Sequence, residues 1–282
     1  MKTAVITGAS SGIGQATALE LGRTGWRIIG VGRDPQRCED AAAKLAAEDI
    51  ENDFLRADFD SMAEVKRVAR EIAALADRID ALVNNAGGVR DKRYETVDGF
   101  EATLAANHLA PFLLTTELLP ILKQTAAAHG EARVIAVSSS AHEHMPAMNF
   151  ADLNFENNFS TGAAYCQAKL ANLLFSKELS RRYAESNIVA QTMHPGVISS
   201  NFYSYGDESM KSHPGAQNGA PPEHAARTIA WMATSPEGGS PGGRYFHDKT
   251  EVEARSQAND DVAAQKLWEM SEEMLKDIRS SD

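Results

Sequence analysis

Cysteine is nearly absent from these 282 residues: Cys38 and Cys166 are the only two. Two thiols are too few for a disulfide framework or a cysteine-built zinc site, and such usage suits a reducing compartment. Cys166, set among good helix formers, reads as an inert helical thiol. Positive charge is also short, with 28 Lys and Arg against 39 Asp and Glu and a formal net charge of −11. That balance leaves no basic footprint for nucleic acid or an acidic membrane surface. No apolar run is long enough to span a bilayer, and MKTAVITGAS enters a short strand-like run directly, without a signal peptide's hydrophobic region. The expectation is a soluble cytoplasmic chain with no membrane partner. Linkers, internal repeats and low-complexity tracts are missing too, so nothing divides the chain. A chain of this length buries enough core to fold without metal or disulfide.

What is present is alternation. Short β-branched runs stand at 3–7 (TAVIT), 27–32 (RIIGVG), 53–58 (DFLRAD), 81–87 (ALVNNAG), 133–139 (RVIAVSS) and 188–196 (IVAQTMHPG). Between them lie Ala/Leu/Glu-rich segments such as 12–25 and 62–76, with apolar residues three and four apart. Apolar runs of this length suit strands covered on both faces, and helical crossovers make them parallel. The pattern predicts an α/β fold, a doubly wound parallel sheet with helices on both faces, as a single domain over 1–282. Its first half, 1–132, is expected to serve mainly a cofactor, and 133–282 catalysis and substrate.

Two stretches break the rhythm, 140–162 and 197–222. Both follow strands, where open α/β sheets bind ligands, and they read as substrate loops. Met145, Met148 and Phe150 in the first, with Phe202, Tyr203, Tyr205 and Met210 in the second, suggest an apolar or aromatic substrate. A last helix over 260–278 carries Val262, Leu267, Met270, Met274 and Ile278 as an apolar stripe for packing on the body.

After the first strand comes Thr7-Gly8-Ala9-Ser10-Ser11-Gly12-Ile13-Gly14. Glycines let backbone turn sharply and approach a ligand, and the helix that follows offers free N–H groups to a pyrophosphate. The spacing G-x-x-x-G-x-G departs from G-x-G-x-x-G, so its weight comes from lying between strand and helix. The second strand ends in Gly32-Arg33-Asp34. An acidic residue there would take ribose hydroxyls and an arginine a 2′-phosphate; Arg33, directly off the strand, favours NADP(H), with NAD(H) as the alternative. Asp58, ending the third run, would accept from an adenine amino group or cap the next helix.

Tyr165 and Lys169, four apart in AYCQAKLAN, share one helix face. Together with Thr-Gly-x-x-x-Gly-x-Gly, Asn84-Asn85-Ala86-Gly87, Asn107, Ser138-Ser139 and Pro195-Gly196, they stand in an order that resembles the short-chain dehydrogenase/reductase family. NHLAPFLLT (107–115), VSSSAH (137–142), HPGVISSNF (194–202) and the late GRYF and LWEMSEEML look like its retinol dehydrogenase-like branch. The resemblance implies a Rossmann-type sheet and a tetrad of Asn107, Ser139, Tyr165 and Lys169, with Asn107 carrying a water relay behind the lysine. It also implies cofactor contacts from Gly8, Ser10, Ser11, Gly12, Ile13, Gly14, Arg33, Asp58, Phe59, Asn85, Ala86, Gly87, Tyr165, Lys169, Pro195, Gly196, Ile198 and Ser200. Placing VSSSAH on the branch pattern selects Ser139 among three successive serines. Tyr165 follows 26 residues later, further than in most of the family.

The chemistry explains the residue types. A tyrosine with an ordinary pKa of about 10 is a poor proton exchanger near neutrality, and a lysine ammonium nearby favours its phenolate. Lowering that pKa by ~2–3 units corresponds to ~3–4 kcal/mol. Ser139 would donate to a carbonyl oxygen as negative charge grows there. The expected activity is an NADP(H)-dependent carbonyl/alcohol oxidoreductase acting on a small molecule, as a monomer or homo-oligomer. The competing readings are a cofactor-retaining epimerase or lyase and a non-catalytic NADP-sensing protein on the same fold. His142 and His144 lack the acidic or thiol neighbours that would make a metal site, and no G-x-S-x-G elbow supports a hydrolase.

Overall fold

The computed structural model describes residues 1–199, 202, 206–212 and 218–280. Ser200, Tyr203 and Tyr205 lie outside the described residues. The first two strands fall where the sequence places them, β1 Thr3–Thr7 and β2 Arg27–Gly32. β3 spans Asn52–Arg56, β4 Ala81–Asn84, β5 Ala132–Val137 and β6 Ile188–Met193, so each of the predicted runs ends short at its C-terminal side. The surplus residues include Asn85–Gly87, Ser138–Ser139 and His194–Gly196, where the backbone leaves the sheet. Two further strands, β7 Tyr245–His247 and β8 Thr250–Glu251, are too short to show any periodicity in sequence.

The eight strands form one sheet in the order β3-β2-β1-β4-β5-β6-β7-β8, parallel except for the β7–β8 edge hairpin. This is the doubly wound architecture. Strand residues alternate between two apolar layers, because successive side chains point to opposite faces. In β1, Val5 joins the larger core, while Ala4 and Ile6 join the other. Among the helices, α1 (Gly12–Gly22) and α2 (Pro35–Ala46) follow β1 and β2, and α3 (Met62–Leu75) follows β3. A short α4 (Ala102–Leu104) runs through a π-turn at Ala105–Leu109 into α5 (Ala110–Glu117), with α6 (Leu119–His129) behind it. α7 (Thr161–Tyr183) starts at an N-cap where Ser160 Oγ accepts from Ala163 N–H at 3.1 Å. α8 (Glu208–Lys211) and α9 (Pro222–Thr234) follow β6. The chain closes with α10 (Asp261–Met274) and α11 (Lys276–Ser280), and no helix among the described residues is long and apolar enough to cross a membrane.

The C-terminal stripe is only partly as expected. Leu267 is buried, and Met270, Met274 and Ile278 pack at the core's margin, but Val262 is 77% exposed. It sits in the first turn beyond the Asp260 cap, ahead of the face that meets the body. That face is set by Ala263, Ala264, Leu267, Trp268 and Ser271. Trp268 lies edge-on to Phe112 at 4.8 Å and parallel to Phe175 at 5.9 Å, so α10 covers the outer sides of α5 and α7. The irregular reading of 140–162 holds apart from a 3-10 turn at Ser140–His144 and the start of α7 at 161–162. Met148 is buried in the larger core, with Met145 and Phe150 packed against it. These three are therefore packing residues and not a substrate surface.

The same contact carries a titratable group. His108, in the π-turn, is buried, with Nε2 2.8 Å from Ser271 Oγ. That hydroxyl already donates to the Leu267 carbonyl at 2.7 Å, so the ring donates through Nε2 and keeps a bare Nδ1. Burial pushes the His108 pKa down to about 4 from its ordinary 6.5. Between those values the unfolded chain binds a proton that the folded chain refuses, so stability is full above pH 6.5 and falls towards pH 4. His108→Leu should remove up to about 3 kcal/mol of this acid sensitivity, measured by urea denaturation at pH 7 and pH 4.5. An unaltered difference between the two pH values would exclude His108 as its source.

Candidate active site

The sheet order reverses between β1 and β4, and a crevice opens there beyond the strands' C-terminal ends. Thr7 fixes the two loops that flank it. Its buried hydroxyl accepts from the N–H groups of Asn85 and Ala86 at 3.0 and 2.9 Å, and Asn85 Nδ2 donates to the Thr7 carbonyl at 2.9 Å. The glycine loop comes correspondingly close. Gly8 takes φ +69°, and a Cβ there would stand 2.8 Å from Asn85 Nδ2. Gly14 does not line the cleft; a Cβ on it would meet the Gly8 carbonyl at 2.2 Å, so it is required for packing α1 on the loop.

The crevice is a cleft of about 780 Å³. At one end it is lined by Gly8, Ser10–Ile13, Arg33, Asp58 and Phe59, and along its length by Asn85–Gly87. At the other end stand Ser139, Tyr165, Lys169, Pro195, Gly196 and Ile198. Residues that follow six separate strands, together with Tyr165 and Lys169 of α7, are thus brought to one surface. Ser11 stands at the N-cap of α1 without a side-chain hydrogen bond, which leaves first-turn N–H groups to a ligand. At the far rim Arg33 faces Asp58 at 3.8 Å. Asp58 accepts from Asp60 N–H, and Ser61, not Asp58, caps α3. Asp34 caps α2 by accepting from Arg37 N–H at 2.8 Å. Arg37 also lines this end, as does Arg90, which pairs with Asp60 at 2.8 Å; sequence reading missed both because neither belongs to a local motif.

The three serines have different surroundings. Ser138 is buried, and its hydroxyl donates to the Lys169 carbonyl at 2.8 Å, tying β5 to α7. Ser140 is exposed. Ser139 is half-buried and caps the 3-10 turn, its Oγ accepting from Ala141 N–H at 3.1 Å. Because that oxygen is used as an acceptor, its own proton stays available to a ligand oxygen. Tyr165 and Lys169 lie on one face of α7, with the lysine Nζ 5.5 Å from the tyrosine ring centroid. Nζ donates to the Val137 carbonyl at 3.0 Å, and burial pushes its pKa down to about 8 from 10.5. Asn107 is buried behind the cleft-lining Gly87 and Gly88. Its amide donates to the Gly88 and Thr103 carbonyls at 2.8 Å each, and its oxygen accepts from Gly88 N–H at 3.0 Å. The side chain thus holds the Gly87–Gly88 strip of the cleft wall.

The Tyr165 end of the cleft is also walled by His144, Cys166, Phe202 and Met210, with the Phe202 ring 5.1 Å from that of Tyr165. Ile198 and Ala220 form an isolated parallel bridge, in which Ser199 N–H donates to the Ala220 carbonyl and Ala220 N–H to the Val197 carbonyl. His194 and His247 stack at 3.9 Å behind Pro195 and Gly196. Among the described residues no group of three or more His, Cys, Asp or Glu is placed to hold a metal ion.

Comparison with known proteins agrees with this geometry. A family model described as short chain dehydrogenase matches residues 2–210. Over 97% of the chain and 86% of the relative, the sequence is 36% identical to retinol dehydrogenase 14 of Mus musculus. It is also 36% identical to polyprenol dehydrogenase of Mus musculus, covering 95% of the chain and 82% of the relative. Among solved structures, an uncharacterized protein from Mycobacterium Paratuberculosis superposes with a TM-score of 0.79 at 34% identity, covering 98% of this chain and 94% of that one. The Pseudomonas aeruginosa RhlG/NADP active-site complex does so with a TM-score of 0.70 at 28% identity, over 87% and 93% of the two chains.

The buried amine makes a direct prediction. Between pH 8 and 10.5 the unfolded chain keeps a lysine proton that the folded chain gives up, so the ligand-free protein gains stability as pH rises from 8. Lys169→Met should remove that slope and stabilise the ligand-free fold at pH 7 by about 1–3 kcal/mol. Denaturant melts at pH 7 and 9 check this; a variant less stable than wild type at pH 7 would contradict it.

Proposed function

The chain belongs to the short-chain dehydrogenase family, and from that premise we propose that it is an NADP(H)-dependent oxidoreductase interconverting a carbonyl group and an alcohol on an apolar or aromatic substrate. The observation that carries the reading is that Ser139, Tyr165 and Lys169 open into the same cleft as the glycine loop.

The loop fits a dinucleotide. Backbone at Gly8 and Gly12 takes positive φ, and α1 presents first-turn amides beside them. Ser10–Ile13 would hold the pyrophosphate, Phe59 and Asp58 the adenine end, and Lys169 with Pro195 and Gly196 the nicotinamide end. When bound, the cofactor supplies or accepts the hydride. NADP is favoured over NAD because Asp34 is occupied as a helix cap, while Arg33 and Arg37 line the rim where a 2′-phosphate would lie. The similar RhlG structure is an NADP complex, which supports the same reading.

The chain's own residues handle the proton. Ser139 donates a hydrogen bond to the substrate oxygen, where negative charge develops in reduction. Tyr165 delivers the proton to that oxygen, and takes it back in oxidation. Lys169, charged at neutral pH beside the phenol, stabilises the tyrosinate this exchange requires. Water is kept from the reacting oxygen by Phe202 against Tyr165 and by Met210. Their apolar surfaces favour an apolar substrate, and the relatives named for retinol and polyprenol act in the same direction.

Titration with NADPH and NADH tests the cofactor assignment. NADPH should bind at least tenfold tighter, a gap of about 1.4 kcal/mol, and Arg33→Ala should narrow that gap. Tighter NADH binding would overturn it. Tyr165→Phe separates an enzyme from a sensor: turnover of aldehydes or ketones should vanish while NADPH affinity stays. A variant that still turns over would remove Tyr165 from the reaction.

A further inference from the structure

Ser139 is held from behind by a buried imidazole. His142 belongs to the 3-10 turn Ser140–His144 that Ser139 caps, and it is completely buried. Its Nδ1 stands 2.8 Å from the Ser139 carbonyl oxygen. A carbonyl only accepts, so Nδ1 carries a proton and donates it. The backbone N–H of His142 reaches the same oxygen at 3.2 Å. The Ser139 main chain therefore takes two bonds from one residue while its side chain takes a third from Ala141. The other ring nitrogen, Nε2, is buried and has no partner among the described residues. The ring lies edge-on to that of Tyr245 in β7, 5.2 Å away at 87°, so it is braced by packing alone on that side.

Leaving a buried polar atom unpaired lowers stability, and an aromatic hydrocarbon ring of similar shape would fill this space without that penalty. Packing does not account for a histidine here; the bond to Ser139 does. His142 does not line the cleft, so it acts through another residue. We propose that His142 is a positioning residue for Ser139. It fixes the peptide of Ser139, so that the hydroxyl keeps its proton directed at the substrate oxygen instead of rotating between acceptors. The inference rests on the oxidoreductase reading above, in which Ser139 donates to that oxygen.

The test uses steady-state reduction of a panel of aldehydes with NADPH. His142→Phe should lower kcat by about tenfold to a hundredfold, the scale of a small misplacement at a reacting centre, with NADPH affinity unchanged. His142→Asn, whose Nδ2 can take the place of Nδ1 as donor, should recover most of the loss. In a Ser139→Ala background His142→Phe should cost nothing further. Equal losses from Phe and Asn, or a full loss in both backgrounds, would show a merely structural role and overturn the proposal. The wild-type protein offers an independent check by nitrogen NMR: His142 must carry its proton on Nδ1, and a bare Nδ1 refutes the inference even if the Phe variant does not fold. Wild-type turnover unaffected by His142→Phe sinks this proposal alone. Absence of any wild-type turnover sinks the oxidoreductase reading and this proposal together.

Discussion

The Lys169 amine lies out of water with the Val137 carbonyl 3.0 Å away, and the surrounding frame is arranged to keep it there. An ammonium has three protons to donate, and burial at a strand end satisfies them less well than solvent does. Only a stiff support holds such a group in place. β5 supplies it by pairing on both sides, with β4 and β6, and α7 supplies it as a 23-residue helix. The Ser138 hydroxyl fastens the two together at the Lys169 carbonyl. Tyr165 inherits its position from this lock, and Ser139 follows directly from the anchored end of β5. A site on regular elements is placed more firmly than one on long loops.

The legible parts of the fold and site are the local ones. Tyr165 and Lys169 could be paired on paper because four residues of helix bring them to one face, and β1 and β2 because their runs are cleanly bounded. The apolar runs outlast their strands at Asn85–Gly87 and His194–Gly196, where apolar and turn residues follow one another without a break although the backbone has already left the sheet. Three residues are too few to show a period, so β7 was invisible, and with it the partners of His142 and His194. Composition could not tell Met148, which is core, from Met210, which lines the cleft. Thr7, Ser138 and Asn107 act across 19 or more residues of sequence, through bonds that only the folded chain makes.

Charge at the cleft is local, not global. The chain carries a net −11, yet in the proposed reading it receives a ligand bearing several phosphate charges. Uncapped amides of α1 and the rim arginines provide the attraction, and Asp34 is turned into a helix cap. Surface carboxylates elsewhere act at distances that salt screens, while these contacts act within a few ångströms. Overall acidity and anion binding are therefore compatible in one molecule.

The bridge between Ile198 and Ala220 closes the stretch of chain between them. Both of its ends are sewn to each other by backbone bonds that involve no particular side chain. Closure entropy rises by only about 0.6 kcal/mol for each doubling of such a segment. A change of length between these bonds thus leaves β6, the glycine loop and the Tyr165–Lys169 pair on their own supports. In the proposed reading, a protein engineer can use this stretch, which brings Phe202 and Met210 to the cleft, to change what the cleft admits while the groups on β5 and α7 keep their places.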